Sequence, residues 1–195
     1  MLFFVFLHRE MDTIVRQTVD ALRRGATILY PTDTIWGIGC DARNGSAVER
    51  IYAIKERDRS KSMLVLVPTL PSLLGNQLST DDRPTTYILP AAIWRPMLGD
   101  TMADNLAADD GSLGLRAPRH PFCQEVMRLL GAPLVSTSAN LSGRPSPRTY
   151  EEIEEELKRR VDYCVAPLPA FLSAETRGSR IVKVDESGTR TVIRP

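Results

Sequence analysis

Between positions 55 and 61 the chain reads Lys-Glu-Arg-Asp-Arg-Ser-Lys, with cations at 55, 57, 59 and 61 and acids at 56 and 58. Alternate side chains of an extended segment share a face, so this spacing would gather four positive charges on one side. Arg grips phosphate through a fork of N–H donors and Lys acts as a point charge, a pairing suited to a polyphosphate. A solvated mixed-charge loop explains the same segment equally well when it is taken alone. A second group, Ser136-Thr-Ser-Ala-Asn140, offers hydroxyls and an amide on short side chains that let backbone N–H groups approach an anion or nucleotide. Ordinary turn chemistry accounts for it too. Thr32-Asp-Thr34, followed by Gly37 and Gly39, poses the same choice.

Other chemistries find little support. The sequence has no Walker A loop, no GxGxxG and no HxxxH, and its two histidines are His8 and His120. A Ser-His-Asp triad or a histidine-rich metal site would have to use one of these, and His120, between Arg119 and Pro121, suits a helix start. No metal-ligating set is expected. Cys40, Cys123 and Cys164 are widely spaced and lie in or beside apolar patterns, which predicts packing rather than attack, and a reducing, cytoplasmic setting. Trp36 and Trp94 are expected in the core or a pocket wall.

Positioning such residues requires a core. The 195 residues are 43% hydrophobic and 25% charged, the balance of one folded domain spanning 1–195. A formal charge of +1 gives no global field for nucleic acid, so RNA would need a local patch or a partner protein. Met1 to Leu7 is apolar but too short to span a bilayer, and it predicts a short strand before a helix with Asp12 as N-cap and Gly25 as terminator. Ala26–Tyr30, Met63–Val67, Thr85–Leu89, Leu113–Ala117 and Leu134–Thr137 read as strands. Capping boxes at Ser46/Glu49 and Thr149/Glu152 predict helices after them, the second reaching about Arg160, and Pro121–Leu130 reads as a helix closed by Gly131. Turn signals dominate around Pro96, Gly99 and Gly111, Tyr163–Val165 suits a strand, and Arg180–Val184 with Thr189–Ile193 suits a hairpin through Glu186-Ser187-Gly188. The alternation implies a layered α/β domain with a mixed sheet, and sites on such sheets gather where loops converge.

In order and spacing, Tyr30-Pro-Thr-Asp-Thr-Ile-Trp-Gly-Ile-Gly-Cys40, Lys55-Glu-Arg57 with Lys61, Leu115-Arg-Ala-Pro118 and Pro133-Leu-Val-Ser-Thr-Ser-Ala-Asn-Leu-Ser-Gly143 resemble the YrdC-like family of threonylcarbamoyl-AMP synthases. The likeness runs from the first helix to Val192-Ile-Arg194, and the KxR and SxN motifs together carry it. It implies a twisted mixed parallel/antiparallel sheet with flanking helices and a concave basic cavity for ATP with Mg²⁺, bicarbonate and L-threonine, with no tightly bound cofactor. It also implies roles. Lys55 and Arg57 would be catalytic, and Thr32, Lys61, Arg116, Ser136, Ser138, Asn140, Arg148 and Arg194 would hold nucleotide or substrate. The product would pass to tRNA-threonylcarbamoyl transferase proteins.

The sequence departs from the family pattern at Asp58 and Ser62, where proline is usual, and at Arg180, where threonine is usual. Asp58 adds a carboxylate near the expected phosphates. Other readings stand beside the synthase, and the altered loop favours the first of them. One is a paralogue that binds nucleotide, tRNA or double-stranded RNA without efficient synthesis. Another is carbamoyl transfer as in hydrogenase-maturation proteins, whose added acylphosphatase and zinc-finger regions are missing from this sequence. A plain scaffold leaves the cations and hydroxyls unexplained.

Overall fold

The computed structural model describes residues 2–58, 62–70, 83–169 and 177–195, with side chains from residue 9 onward. Among the described residues nine strands form one mixed sheet: β1 Ile28–Tyr30, β2 Gly37–Gly39, β3 Leu64–Leu66, β4 Thr85–Leu89, β5 Leu113–Arg116, β6 Leu134–Ser138, β7 Tyr163–Cys164, β8 Arg180–Val184 and β9 Arg190–Arg194. Their spatial order is β7-β1-β2-β6-β3-β5-β4-β8-β9. The β1–β7, β3–β5 and β4–β8 pairs are parallel and the rest antiparallel.

Strand periodicity sorts the core into two layers. Ile28, Tyr30, Leu66 and Leu134 pack on one face against α1 (Leu2–Arg23) and, further along the chain, the Pro121–Leu130 helix, while Leu29, Val65 and Val135 face the opposite cluster with α2 (Gly45–Lys55). Fully buried Leu, Ile and Phe side chains such as Leu29, Ile38 and Phe122 each contribute roughly 1.5–3 kcal/mol by leaving water. The other α-helices among the described residues are α3 (Ala91–Leu98), α4 (Pro121–Leu130) and α5 (Glu155–Arg160). Helix α4 starts after His120 at the N-cap with Pro121 as its first residue and stops at left-handed Gly131, as the sequence predicts. Among the described residues no helix is long and apolar enough to cross a membrane.

Several local expectations are corrected. Residues from Leu2 onward are helical rather than a strand, and Asp12 lies inside α1. Once nucleated, a helix extends cheaply through residues with no Gly or Pro, so the polar break at His8-Arg9-Glu10 does not stop it. Helix α2 is capped by Asn44, whose Oδ1 accepts from the Ala47 N–H at 3.0 Å, in place of a Ser46/Glu49 box. At the other candidate box, Glu152 accepts the Arg148 N–H at 2.7 Å, and α5 starts only at Glu155. Pro96 sits within helix α3, which ends as the Gly99 N–H reaches the Arg95 carbonyl at 2.9 Å.

Strand β2 is not among the strands that the sequence predicts. Its glycines hide the apolar alternation that marks a strand, yet they are what lets it pair. A Cβ on Gly39 would stand 1.8 Å from the Val135 carbonyl oxygen, so only a residue without one fits between β1 and β6.

Candidate active site

The interior strand β6 carries Ser136 to Ser138 between β2 and β3, with Gly37 opposite Ser138 and Leu64 opposite Ser136. Where these strands end, the sheet opens into a cavity of about 300 Å³. Arg57, Arg116, Arg194, Ser136 and Ser138 line it together with Trp36, and no carboxylate is among its described lining residues. Five of the ten residues singled out by sequence therefore share one wall.

Lys55 and Asn140 lie directly behind that wall. Lys55 ends α2 and is almost fully buried, its Nζ donating to the Ser138 carbonyl at 2.6 Å, to the Asn140 carbonyl and to Asn140 Oδ1 at 2.9 Å. Burial, and then the neighbouring Arg57 charge, lower its pKa to about 8. It remains predominantly an ammonium at pH 7. Ser138 Oγ bonds Asn140 Oδ1, and Asn140 Nδ2 donates to the Leu141 and Arg144 carbonyls, so Lys55 and the Ser138-Ala-Asn140 turn form one hydrogen-bonded knot.

Arg57 follows a left-handed turn at Glu56, which rules out the single extended face expected over positions 55–61. The turn caps α2, because the N–H groups of Glu56 and Arg57 return to the Ala53 and Tyr52 carbonyls. One arm of Arg57 donates to the Ser62 carbonyl at 3.0 Å, whereas its buried Nε has no hydrogen-bond partner among the described residues. Asp58 is exposed, and Lys61 lies outside the described residues.

Arg116 ends β5, is 2% exposed and pairs with Asp33 at 3.2 Å. Its Nη1 also donates to Thr34 Oγ1 at 2.9 Å, and its Nε again has no hydrogen-bond partner among the described residues. Thr32 Oγ1 donates to the Ile35 carbonyl at 2.8 Å and lies 3.0 Å from Thr34 Oγ1. A hydroxyl has one proton, so Thr34 must donate to Thr32 and accept from Arg116. Thr32 thus braces the Arg116 wall from behind.

Arg194, on β9, donates from Nε and Nη2 to the Ser179 carbonyl at 3.0 and 2.6 Å. It passes so close to Gly178 that a Cβ there would meet Nη2 at 2.9 Å. Burial and then Arg116 hold the pKa of Arg194 below its ordinary value, and burial does the same to Arg57. Arg148 is exposed and is not among the cavity-lining residues.

Two hydroxyl residues of the wall, Thr86 and Ser179, carry no local sequence signal. The parallel β4–β8 pairing brings them together, with their hydroxyl oxygens 2.7 Å apart. Trp36 is backed by Tyr150, with ring centroids 4.9 Å apart, and Lys158 Nζ stands 4.4 Å from the Tyr150 ring. Trp94 is core, its indole N–H donating to the Gly111 carbonyl. The Cys40 and Cys123 thiols are buried and pushed well above their usual range by desolvation, which suits packing and not attack.

Comparison with known proteins extends this picture. The Sua5/YciO/YrdC family model, described as telomere recombination, matches residues 20–195. The chain is 30% identical over 192 residues to the threonylcarbamoyl-AMP synthase of Vibrio campbellii, covering 91% of this chain and 96% of that protein. It is 35% identical over 157 residues to the enzyme of the same name from Xanthomonas campestris pv. campestris, covering 74% and 80%. Escherichia coli YciO superimposes with a TM-score of 0.70 at 25% identity, over 94% of this chain and 89% of that one. P. abyssi Sua5 complexed with L-threonine shares the fold with a TM-score of 0.72 at 20% identity, over 93% of this chain. This chain spans only about half of that longer protein, 53%. The family match takes in every described strand and the whole cavity wall, and the chain belongs to the Sua5/YciO/YrdC family.

Proposed function

We propose that this protein makes threonylcarbamoyl-AMP and pyrophosphate from L-threonine, bicarbonate and ATP, the activated intermediate for threonylcarbamoyladenosine in tRNA. The observation that carries the reading is the cavity itself: Arg57, Arg116 and Arg194 share it with Ser136 and Ser138, and two buried guanidinium N–H groups there lack acceptors among the described residues. A buried donor without an acceptor is costly, and a polyphosphate supplies acceptors in number. Family membership and the named relatives support the same reaction.

The threonine amine adds to bicarbonate, an N–C bond forms and water leaves, giving a carbamate. A carbamate oxygen then attacks the α-phosphorus of ATP. The bond from that phosphorus to its bridging oxygen breaks, and pyrophosphate departs with the electron pair. Neither step needs a nucleophile from the protein. What the chain must supply is alignment and positive charge facing the phosphate oxygens, where arginines and hydroxyls suffice. Arg57 and Arg116 take that role. Lys55 and Asn140 fix the turn that presents Ser138, and Arg194 closes the far side. Magnesium would enter with the substrate as MgATP and would help neutralise charge on the phosphates.

We place the protein in the cytoplasm on its free thiols and read its sheet as one domain. Its product, a mixed anhydride prone to hydrolysis, would be taken up by a threonylcarbamoyl transferase acting on tRNA. Purified protein is expected to release pyrophosphate from ATP only when threonine and bicarbonate are both present. Equal release without threonine would end this assignment.

A further inference from the structure

Glu56 is the sole non-glycine residue at positive φ among the described residues. With φ 50° and ψ 43° it occupies the left-handed C-cap position after α2, a place that normally goes to glycine because a Cβ is disfavoured there. This reversal has a clear consequence. It sends Lys55 back into the knot with Ser138 and Asn140 while Arg57 enters the cavity. An outlier at such a junction must be held by its surroundings.

The structure shows what does so. Arg160, the last residue of α5, donates through Nη1 to the Glu56 carboxylate at 2.9 Å and to the Ile54 carbonyl at 3.4 Å. It grips both the side chain of the left-handed residue and the end of the helix that precedes it. Its other arm pairs with Glu156 on its own helix, which fixes the guanidinium in place.

We infer that Arg160 is a positioning residue for the cavity, holding Glu56 in the left-handed turn that separates Lys55 from Arg57. The inference concerns geometry, and only its activity readout rests on the synthase reading. The Glu56–Arg160 pair is partly exposed, at 61% and 33%, so its contribution is modest. Losing it leaves the competent turn populated part of the time, and apparent ATP affinity falls by that fraction.

Four variants separate this role from general support: Arg160→Ala, Glu56→Ala, Glu56→Gly and the double variant Glu56→Gly/Arg160→Ala. Arg160→Ala and Glu56→Ala should each raise KM for ATP about fivefold with kcat within about twofold of wild type. Glycine adopts the left-handed turn unaided, so the double variant should recover to within about twofold of wild type. Arg160→Ala acting like wild type, or Glu56→Gly failing to rescue it, would overturn the inference. In parallel, the Cα and Cβ shifts of Glu56 are measured by NMR in wild type and in Arg160→Ala. They should leave left-handed values in the variant, and unchanged shifts would overturn the inference whatever the enzyme does. A wild-type protein without threonine-dependent pyrophosphate release would sink the synthase reading alone, leaving the NMR comparison to decide this one.

Discussion

Replacing Lys55 by Met keeps most of the side-chain volume and removes the ammonium. In the folded protein that ammonium serves three oxygens: the Ser138 carbonyl at 2.6 Å, the Asn140 carbonyl and Asn140 Oδ1 at 2.9 Å. Hydrogen bonds to a charged group contribute about 1.5–3 kcal/mol each, so three amount to roughly 5–9 kcal/mol. Against this stands the cost of burying the ammonium beside Arg57, which its lowered pKa of about 8 reflects. The net loss on substitution is therefore about 3–5 kcal/mol, the range for removing one partner from a buried charged network. Urea unfolding should show it directly. With a slope of about 2 kcal/mol per molar, the midpoint should drop by ~1 M or more. Pyrophosphate release should fall about tenfold or more, because the Ser138 wall loses its anchor. A midpoint within ~0.3 M of wild type would refute the reasoning, since it would mean the ammonium does not hold the turn.

The same residue predicts a pH dependence. Its folded pKa of about 8 lies below the ordinary 10.5, so between those values the unfolded chain binds the proton more tightly, and the stability of wild type relative to Lys55→Met should rise as pH climbs through that window. A flat difference from pH 8 to 10 in urea midpoints would contradict the lowered pKa. Gly39→Ala forces a Cβ to within 1.8 Å of the Val135 oxygen, so β2 must shift, and a loss of roughly 3 kcal/mol or misfolding is expected in thermal unfolding; a wild-type Tm would show that β2 can relax. Asn44→Ala removes the Oδ1 acceptor of the Ala47 N–H and should cost ~1 kcal/mol by the same assay.

Long-range geometry decided what the sequence could and could not reveal. Strands such as Thr85–Leu89 and Leu134–Ser138 were legible because apolar runs bounded by Pro or Gly have few alternatives, and helix α4 because Pro121 and Gly131 mark both ends. Strand β2 was not, since Gly37 and Gly39 erase its pattern and only the approach of β6 explains them. The KxR segment shows a subtler limit. Spacing alone put Lys55 and Arg57 on one face, whereas the Glu56 turn gives them opposite duties, one a clamp and the other a cavity wall. Thr86 and Ser179 meet only through the β4–β8 pairing of segments far apart in the chain, which no local window contains.

The central claim is that one cavity joins threonine, a carbon from bicarbonate and the adenylate of ATP. Incubating the protein with MgATP, L-threonine and carbon-13 bicarbonate and analysing the rapidly quenched mixture by mass spectrometry tests it most directly. The account predicts a species containing threonine, AMP and a single labelled carbonyl carbon, formed in step with pyrophosphate. Pyrophosphate accumulating with AMP alone, at a rate indifferent to threonine and bicarbonate, would contradict it.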